Sequence, residues 1–109
     1  GINAWMPEAS RPVPFHHMIY LGDGTTDVPC MRLVRDKGGH SLAVFNPRRK
    51  DGRETADQLL EESRVNFTCP ADYRSGRRLD TLVRSIVDKI AADQQLDRLA
   101  SSSGRKPSA

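Results

Sequence analysis

The sequence predicts an α/β protein with a small parallel sheet, and two patterns support this prediction. Short apolar runs alternate with segments whose apolar residues recur at helical spacing, in the order strand, helix, strand, helix, strand, helix. Such alternation is typical of parallel strands joined by crossover helices. Glycine and proline residues separate the segments, as expected at the ends of strands and helices. We therefore expect about three parallel strands with crossover helices.

The first strand and helix surround a short acidic turn. Residues 18–21 form a continuous apolar run, which is typical of a strand buried on both faces. Gly22 ends this run, and Thr26 or Asp27 can cap a following helix that has Pro29 in its first turn. The apolar residues at helical spacing are then expected on the buried face of that helix: Cys30, Leu33 and Val34.

The next strand, helix and strand follow the same rules. A second apolar strand is predicted at residues 42–45, and Asp51 with Glu54 resembles a capping box for the helix that follows. A third strand is predicted at residues 65–69, where apolar and polar residues alternate. The buried face of the second helix is predicted to contain Ala56, Leu59 and Leu60.

The third helix has the clearest pattern in the chain, and this pattern fades after Leu99. Its apolar stripe consists of Leu79, Leu82, Val83, Ile86, Val87 and Ile90. The serine-rich residues that follow are expected to form a disordered tail. The predicted organisation is therefore a proline-containing leading segment at residues 1–17, an α/β domain at residues 18–98 and a disordered basic tail at residues 99–109.

Composition and charge narrow the classes of function. The 109 residues suffice for one modest domain, and no apolar stretch approaches the roughly 20 residues of a membrane span, so no membrane partner is expected. Cys30 and Cys69 are expected to be reduced core residues of a cytoplasmic protein. Aromatic residues make up only 6% of the chain, so no nucleic-acid partner is expected. The basic clusters are interpreted as solvated surface, with attraction for a phosphorylated substrate as the alternative: Arg48-Arg49-Lys50, Arg77-Arg78 and Arg105-Lys106.

Two carboxylates, Asp23 and Asp27, follow the first strand within four residues of each other. Ligands of an open α/β sheet bind beyond the carboxyl ends of its strands, where Asn46 also follows the second strand. Two carboxylates held close together repel unless a proton or a cation lies between them. Mg²⁺ is usually held by one or two carboxylates together with water and substrate phosphate. The residues alone also allow a structural interpretation, with Asp23 in the turn and Asp27 as the helix cap.

The acidic turn carries a resemblance to a known family. The hydrophobic strand followed by Gly22-Asp23-Gly24-Thr25-Thr26-Asp27 resembles the fourth motif of the haloacid dehalogenase (HAD) superfamily. Most of residues 2–95 resembles a bacterial branch of HAD-like phosphohydrolases. The segments that carry this resemblance are Pro14-Phe15, Asp27-Val28-Pro29-Cys30-Met31, Gly38-Gly39 and Ala43-Val44. It implies a three-layer Rossmann-like fold, of which this chain contains a part.

The resemblance also implies a cofactor and a set of site residues. Mg²⁺ is expected with Asp23 as its principal ligand, and with Asp27 binding the metal or its water. Gly24, Thr25 and Asn46 are candidates for contacts with the substrate or with the water shell of the metal. The implied substrate is a phosphorylated small molecule.

The nucleophile of the superfamily is missing from this chain. HAD phosphatases attack phosphorus with the first Asp of a D-x-D motif, and the second Asp transfers protons. No D-x-D occurs in the 109 residues, and the first lysine, Lys37, follows the acidic turn, although the superfamily's lysine precedes it. We therefore expect no catalytic residue here and no phosphatase turnover by this chain alone. The resemblance implies the C-terminal half of a catalytic domain, with the missing N-terminal half as its partner.

Two other functions are considered. A non-catalytic binding or regulatory module derived from the same fold would also lack the nucleophile, and exposed sheet edges would favour its self-association. A dinucleotide-binding domain is disfavoured, because Gly22-Asp23-Gly24-Thr25-Thr26-Asp27 is not G-x-G-x-x-G and its acids would repel a pyrophosphate.

Overall fold

The computed structural model describes residues 13–24 and 27–102. Its elements in chain order are a 3₁₀ helix at Phe15–His17, β1 at Ile19–Gly22, α1 at Val28–Asp36, β2 at His40–Phe45, α2 at Gly52–Glu61, β3 at Phe67–Pro70 and α3 at Arg78–Ser102. The strands form one parallel sheet in the order β1-β2-β3. The predicted α/β class, with parallel strands and crossover helices, is confirmed. Residues 1–12 of the predicted leading segment lie outside the described residues, and Phe15–His17 of that segment forms a 3₁₀ helix.

The chain divides into two compact units, one within Gly1–Ala71 and one within Asp72–Ala109. The first unit contains the sheet with α1 and α2, and the second contains α3. Helix α3 continues through residues 99–102, which the sequence predicts as part of the tail. Leu99 and Ala100 favour a helix, and the Ser102 hydroxyl donates to the Leu99 carbonyl at 3.0 Å. In the part of the chain that the structure describes, none of the helices is both long enough and apolar enough to cross a membrane.

Helices α1 and α2 pack on the same face of the sheet. Side chains of one strand alternate between faces, so Ala43 and Phe45 of β2 lie on one side of it. The buried cluster on this side joins α1, β2 and α2, with Val65 before β3: Met31, Ala43, Phe45, Ala56, Leu59 and Val65. The sequence predicts Leu60 on this buried face, but Leu60 is 43% exposed. This packing brings the N-terminal ends of both helices to the carboxyl edge of the sheet.

The buried face of α1 differs from the predicted one. Met31 and Val34 are buried, whereas Cys30 and Leu33 are exposed. The larger side chain of Met31 removes more apolar area from water than the side chain of Cys30 can, and successive helical residues are rotated by about 100°. Cys69 of β3 is buried as predicted.

Asn66 and Ser41 extend the contact between β2 and the segment before β3. The Ser41 N–H donates to the Asn66 side-chain oxygen at 2.7 Å, and the Asn66 N–H donates to the Ser41 carbonyl at 2.9 Å. The Ser41 hydroxyl, which is fully buried, donates to the carbonyl of Met31 in α1. The strand therefore begins at Phe67, later than predicted, because the Asn66 side chain replaces one backbone pairing.

In the second unit, the Asp80 carboxylate orders the start of α3. It accepts a hydrogen bond from the Gly76 N–H at 2.8 Å and another from the Arg84 Nε–H at 2.9 Å. These bonds, the one from Gly76 first, hold the pKa of Asp80 below its ordinary value of 3.8. Because the pKa is lower in the folded state, the contribution of Asp80 to stability is present above pH 3.8 and is lost as the pH falls through the folded pKa.

Arg84→Ala is therefore expected to raise the pKa of Asp80 only part of the way towards 3.8, since the Gly76 N–H still stabilises the carboxylate. An NMR titration of the side-chain carboxyl groups would measure this. Lys89→Ala is a matched control, because Lys89 pairs with Asp93 on the same helix and its loss should leave Asp80 unchanged. A full return of the Asp80 pKa to 3.8 in Arg84→Ala would contradict the role given to Gly76.

Candidate functional site

An open cleft lies at the carboxyl edge of the sheet within the first unit. Its volume is about 280 Å³. It lies between the residues that follow the strands and the first turn of α2, and is lined by Asp23, Val44, Phe45, Asn46, Arg49, Asp51, Gly52, Thr55 and Ala71. The carboxyl ends of parallel strands meet at one edge, so residues distant in sequence converge here. The cleft contains two of the predicted site residues, Asp23 and Asn46.

Asp27, the second predicted acid, is held against the backbone on both sides of Asp23. It precedes α1 as predicted, but its side chain makes no capping hydrogen bond. Its Oδ1 accepts a hydrogen bond from the Gly24 N–H at 3.3 Å. The same carboxylate lies so close to Gly22 that a Cβ atom there would overlap it. The side chain of Asp27 therefore fixes the turn that carries Asp23.

Gly24, a predicted site residue, lies where this turn packs closely against α2. Its φ of +84° lies in the left-handed region, which favours glycine. A Cβ atom at this position would lie 2.7 Å from Leu59 Cδ1 and 3.7 Å from Thr55 Cγ2. The turn thus needs glycine both for its backbone conformation and for its approach to the helix. Thr25, another predicted site residue, lies outside the described residues.

The surroundings of the two acids differ. Tyr20 of β1 lies near Cys30 and Asp27. Burial, followed by the charges of Cys30 and Asp27, raises the pKa of the Tyr20 hydroxyl above 10.0. Asp27 therefore faces the region where α1 packs on β1, whereas Asp23 lines the cleft beside α2.

Asn46 begins a hydrogen-bonded turn that leads from β2 to α2 and lines the cleft. Its side-chain oxygen accepts from the Arg48 N–H at 2.9 Å, and its carbonyl accepts from the Arg49 N–H at 3.0 Å. The Arg49 carbonyl in turn accepts from the Gly52 N–H at 3.3 Å. Asn46 thus has a structural role in addition to its place in the lining of the cleft.

Sequence reasoning missed three polar residues of the cleft: Arg49, Asp51 and Thr55. All three follow β2, so the rule that ligands bind beyond the carboxyl ends of strands could have indicated them. Arg49 lies in a basic cluster for which the sequence allows solvated surface or attraction for a phosphorylated substrate, without singling out one arginine. Asp51 precedes α2 as expected, but its side chain makes no capping hydrogen bond, so the capping box does not form as predicted.

Among the residues with described positions, no group of three or more His, Cys, Asp or Glu side chains is arranged to hold a metal ion. A site with fewer protein ligands would leave most coordination positions to water and substrate, which is how proteins commonly bind Mg²⁺.

The fold and the cleft define a parallel α/β protein with a polar site at the carboxyl edge of its sheet. No family model matches the chain. No solved structure matches it either. A curated relative, an uncharacterized protein of Borreliella burgdorferi, is 31% identical over 81 residues, which is 72% of this chain. The chain spans 27% of the length of that relative.

Proposed function

We propose that this chain is the metal-binding part of a cytoplasmic, Mg²⁺-dependent phosphohydrolase of the haloacid dehalogenase type. The observation that carries this proposal is the position of Asp23, which lines a polar cleft at the carboxyl edge of a parallel sheet. The turn around Asp23 is fixed by the Asp27 carboxylate on one side and by α2 on the other. A carboxylate carried by a fixed turn suits a ligand that must be placed accurately.

The donor atoms near this turn fit Mg²⁺ better than a softer metal. Asp23 and Asp27 supply carboxylate oxygens, and the cleft of about 280 Å³ has room for water and a phosphoryl group. Asp23 would bind the ion directly, and Asp27 would hold the turn or a water molecule of the ion. When bound, Mg²⁺ offsets negative charge on the phosphoryl oxygens. The substrate we propose is a phosphorylated small molecule.

The attacking carboxylate must come from outside this chain, because no D-x-D occurs in it. We propose that the remaining half of the catalytic domain supplies it. Two observations support this partner. The described sheet ends at β1 and β3, and the Leu21 side chain of β1 is 42% exposed although it belongs to an apolar strand. The relative is also much longer than this chain.

A titration of the chain with Mn²⁺, a paramagnetic substitute for Mg²⁺, tests the metal site directly. We expect Mn²⁺ to broaden the amide NMR signals of Gly24 and Asn46, since Gly24 follows Asp23 in the turn and Asn46 lines the same cleft. Asp23→Asn should weaken this binding about tenfold or more, because it removes the charged oxygen ligand. Asp57→Asn is a matched control, since it removes the same charge from an exposed position of α2.

The metal-binding proposal would be wrong if Asp23→Asn bound Mn²⁺ as tightly as the unmodified chain. It would also be wrong if the broadening occurred elsewhere, for example around Asp57. Circular dichroism of both variants would establish that the fold is retained, so that a loss of binding reports on the ligand and not on unfolding.

A further inference from the structure

Arg49 is the one positively charged residue among the described residues that line the cleft. Two carboxylates, those of Asp23 and Asp51, line the same cleft, yet the Arg49 guanidinium forms no ion pair or hydrogen bond with any described residue. By contrast, Arg53 in α2 forms an ion pair with Asp57 at 3.9 Å and lies over the Phe45 ring. Arg49 is therefore a cation in a concave site with its hydrogen-bond donors still available.

The backbone that carries Arg49 is fixed. Its N–H donates to the Asn46 carbonyl at 3.0 Å, and its carbonyl accepts from the Gly52 N–H at 3.3 Å. A Cβ atom at Gly52 would lie 3.0 Å from the Asn46 carbonyl oxygen and 3.7 Å from Arg49 Cβ, so the start of α2 packs closely on this turn. Only the side chain of Arg49 has to be ordered when a ligand binds, which lowers the entropy lost on binding.

The neighbouring groups also suit an anion. Helix α2 begins at Gly52, which lines the cleft, so the positive end of the helix dipole lies beside the cleft. The two carboxylates of the cleft oppose an anion by themselves. The inference that follows rests on the proposed function in this respect, because a cation at Asp23 removes the repulsion from that carboxylate.

We propose that Arg49 binds an oxyanion of the substrate in this cleft. The planar guanidinium can donate two parallel hydrogen bonds to a phosphoryl group or to a carboxylate, and both present the same pair of oxygen atoms. The substrate class is therefore a phosphorylated molecule in which one of these groups reaches the end of β2. Arg49 is a substrate-binding residue in this arrangement, and it determines which phosphorylated molecules are accepted.

Binding of inorganic phosphate to the chain in the presence of Mg²⁺ tests this inference. Amide NMR shifts of residues 46–55 would follow the titration. We expect Arg49→Ala to weaken phosphate binding about tenfold. Arg48→Ala, which removes the same charge from the adjacent position outside the lining of the cleft, should leave it unchanged. Arg49→Lys should give an intermediate affinity, because an ammonium group cannot make the bidentate contact.

A parallel titration with acetate identifies the source of the oxyanion. Tighter binding of phosphate points to a phosphoryl group at Arg49, and equal or tighter binding of acetate points to a carboxylate; either result supports the oxyanion site. An equal loss of binding in Arg48→Ala and Arg49→Ala would overturn the inference, since net charge alone would then explain the binding. Failure of the unmodified chain to bind either anion would also overturn it.

The Mn²⁺ titration separates this inference from the proposed function. If Mn²⁺ binds through Asp23 but the two arginine variants bind phosphate equally, the metal site stands and the role of Arg49 is wrong. If Mn²⁺ does not bind but Arg49→Ala alone loses phosphate, the oxyanion site stands and the proposed phosphohydrolase is wrong.

Discussion

Replacing Gly39 by alanine is expected to destabilise the first unit by about 3 kcal/mol, because the added methyl group has no space. A Cβ atom at this position would lie 2.5 Å from the Phe15 carbonyl oxygen, 2.5 Å from Val34 Cγ1 and 2.9 Å from the Val34 carbonyl oxygen. Two of these atoms belong to the backbone, so relief requires a shift of the 3₁₀ helix or of the end of α1. The Gly39 N–H also donates to the Val34 carbonyl at 2.7 Å, which ties the crowded atoms together.

The adjacent glycine provides a matched control for this experiment. Among the residues that the structure describes, a Cβ atom at Gly38 would contact only His16 Cβ, at 3.8 Å, but the φ of Gly38 is +92°. Gly38→Ala should therefore cost about 1 kcal/mol through backbone strain alone. Urea unfolding followed by circular dichroism would compare the two free energies of unfolding. A loss in Gly39→Ala no larger than the loss in Gly38→Ala would show that the backbone around Phe15 and Val34 adjusts freely.

Met31→Ala is expected to have an effect of similar size, about 3 kcal/mol, for the opposite reason. The Met31 side chain is fully buried in the cluster that joins α1, β2 and α2. Its truncation removes apolar contacts and leaves a cavity that the surrounding strands and helices cannot close completely. The cavity would lie beside the end of β1, because a Cβ atom at Gly22 would be only 3.0 Å from Met31 Sδ.

Leu33→Ala provides the comparison for Met31→Ala. Leu33 lies on the same helix two residues later and loses a side chain of similar size, but that side chain is 48% exposed. The expected loss is below about 1 kcal/mol, because much of the apolar surface is already in contact with water. Equal losses in the two variants, measured by the same urea unfolding, would contradict the assignment of Met31 to the core face.

The order of strands and helices could be predicted from the sequence because each element has its own hydrophobic period. The continuous apolar run at residues 42–45 corresponds to the buried central strand β2, and the stripe from Leu79 to Ile90 corresponds to α3. The exposed side of α1 could not be predicted, because Cys30 and Met31 are both apolar and only tertiary packing decides which is buried. The division at Ala71 likewise depends on contacts distant in sequence.

The candidate site was predicted in part. Asp23 and Asn46 were found because each follows a strand directly, and both line the cleft. Arg49 was not singled out, because a basic cluster on a loop is most often solvated and its sequence neighbours are equally charged. Arg48 and Arg49 differ only in where the turn after Asn46 places them, and that difference depends on the three-dimensional path of the loop.

The contact between Gly22 and the Asp27 carboxylate has a consequence for how the sequence of this protein can change. Since the carboxylate occupies the space of a side chain at position 22, the two positions are not free to vary separately. A protein of this type that acquires any larger residue at position 22 must move or replace the acid at position 27. Covariation of these two positions across a set of natural sequences would therefore indicate that the same turn geometry is kept.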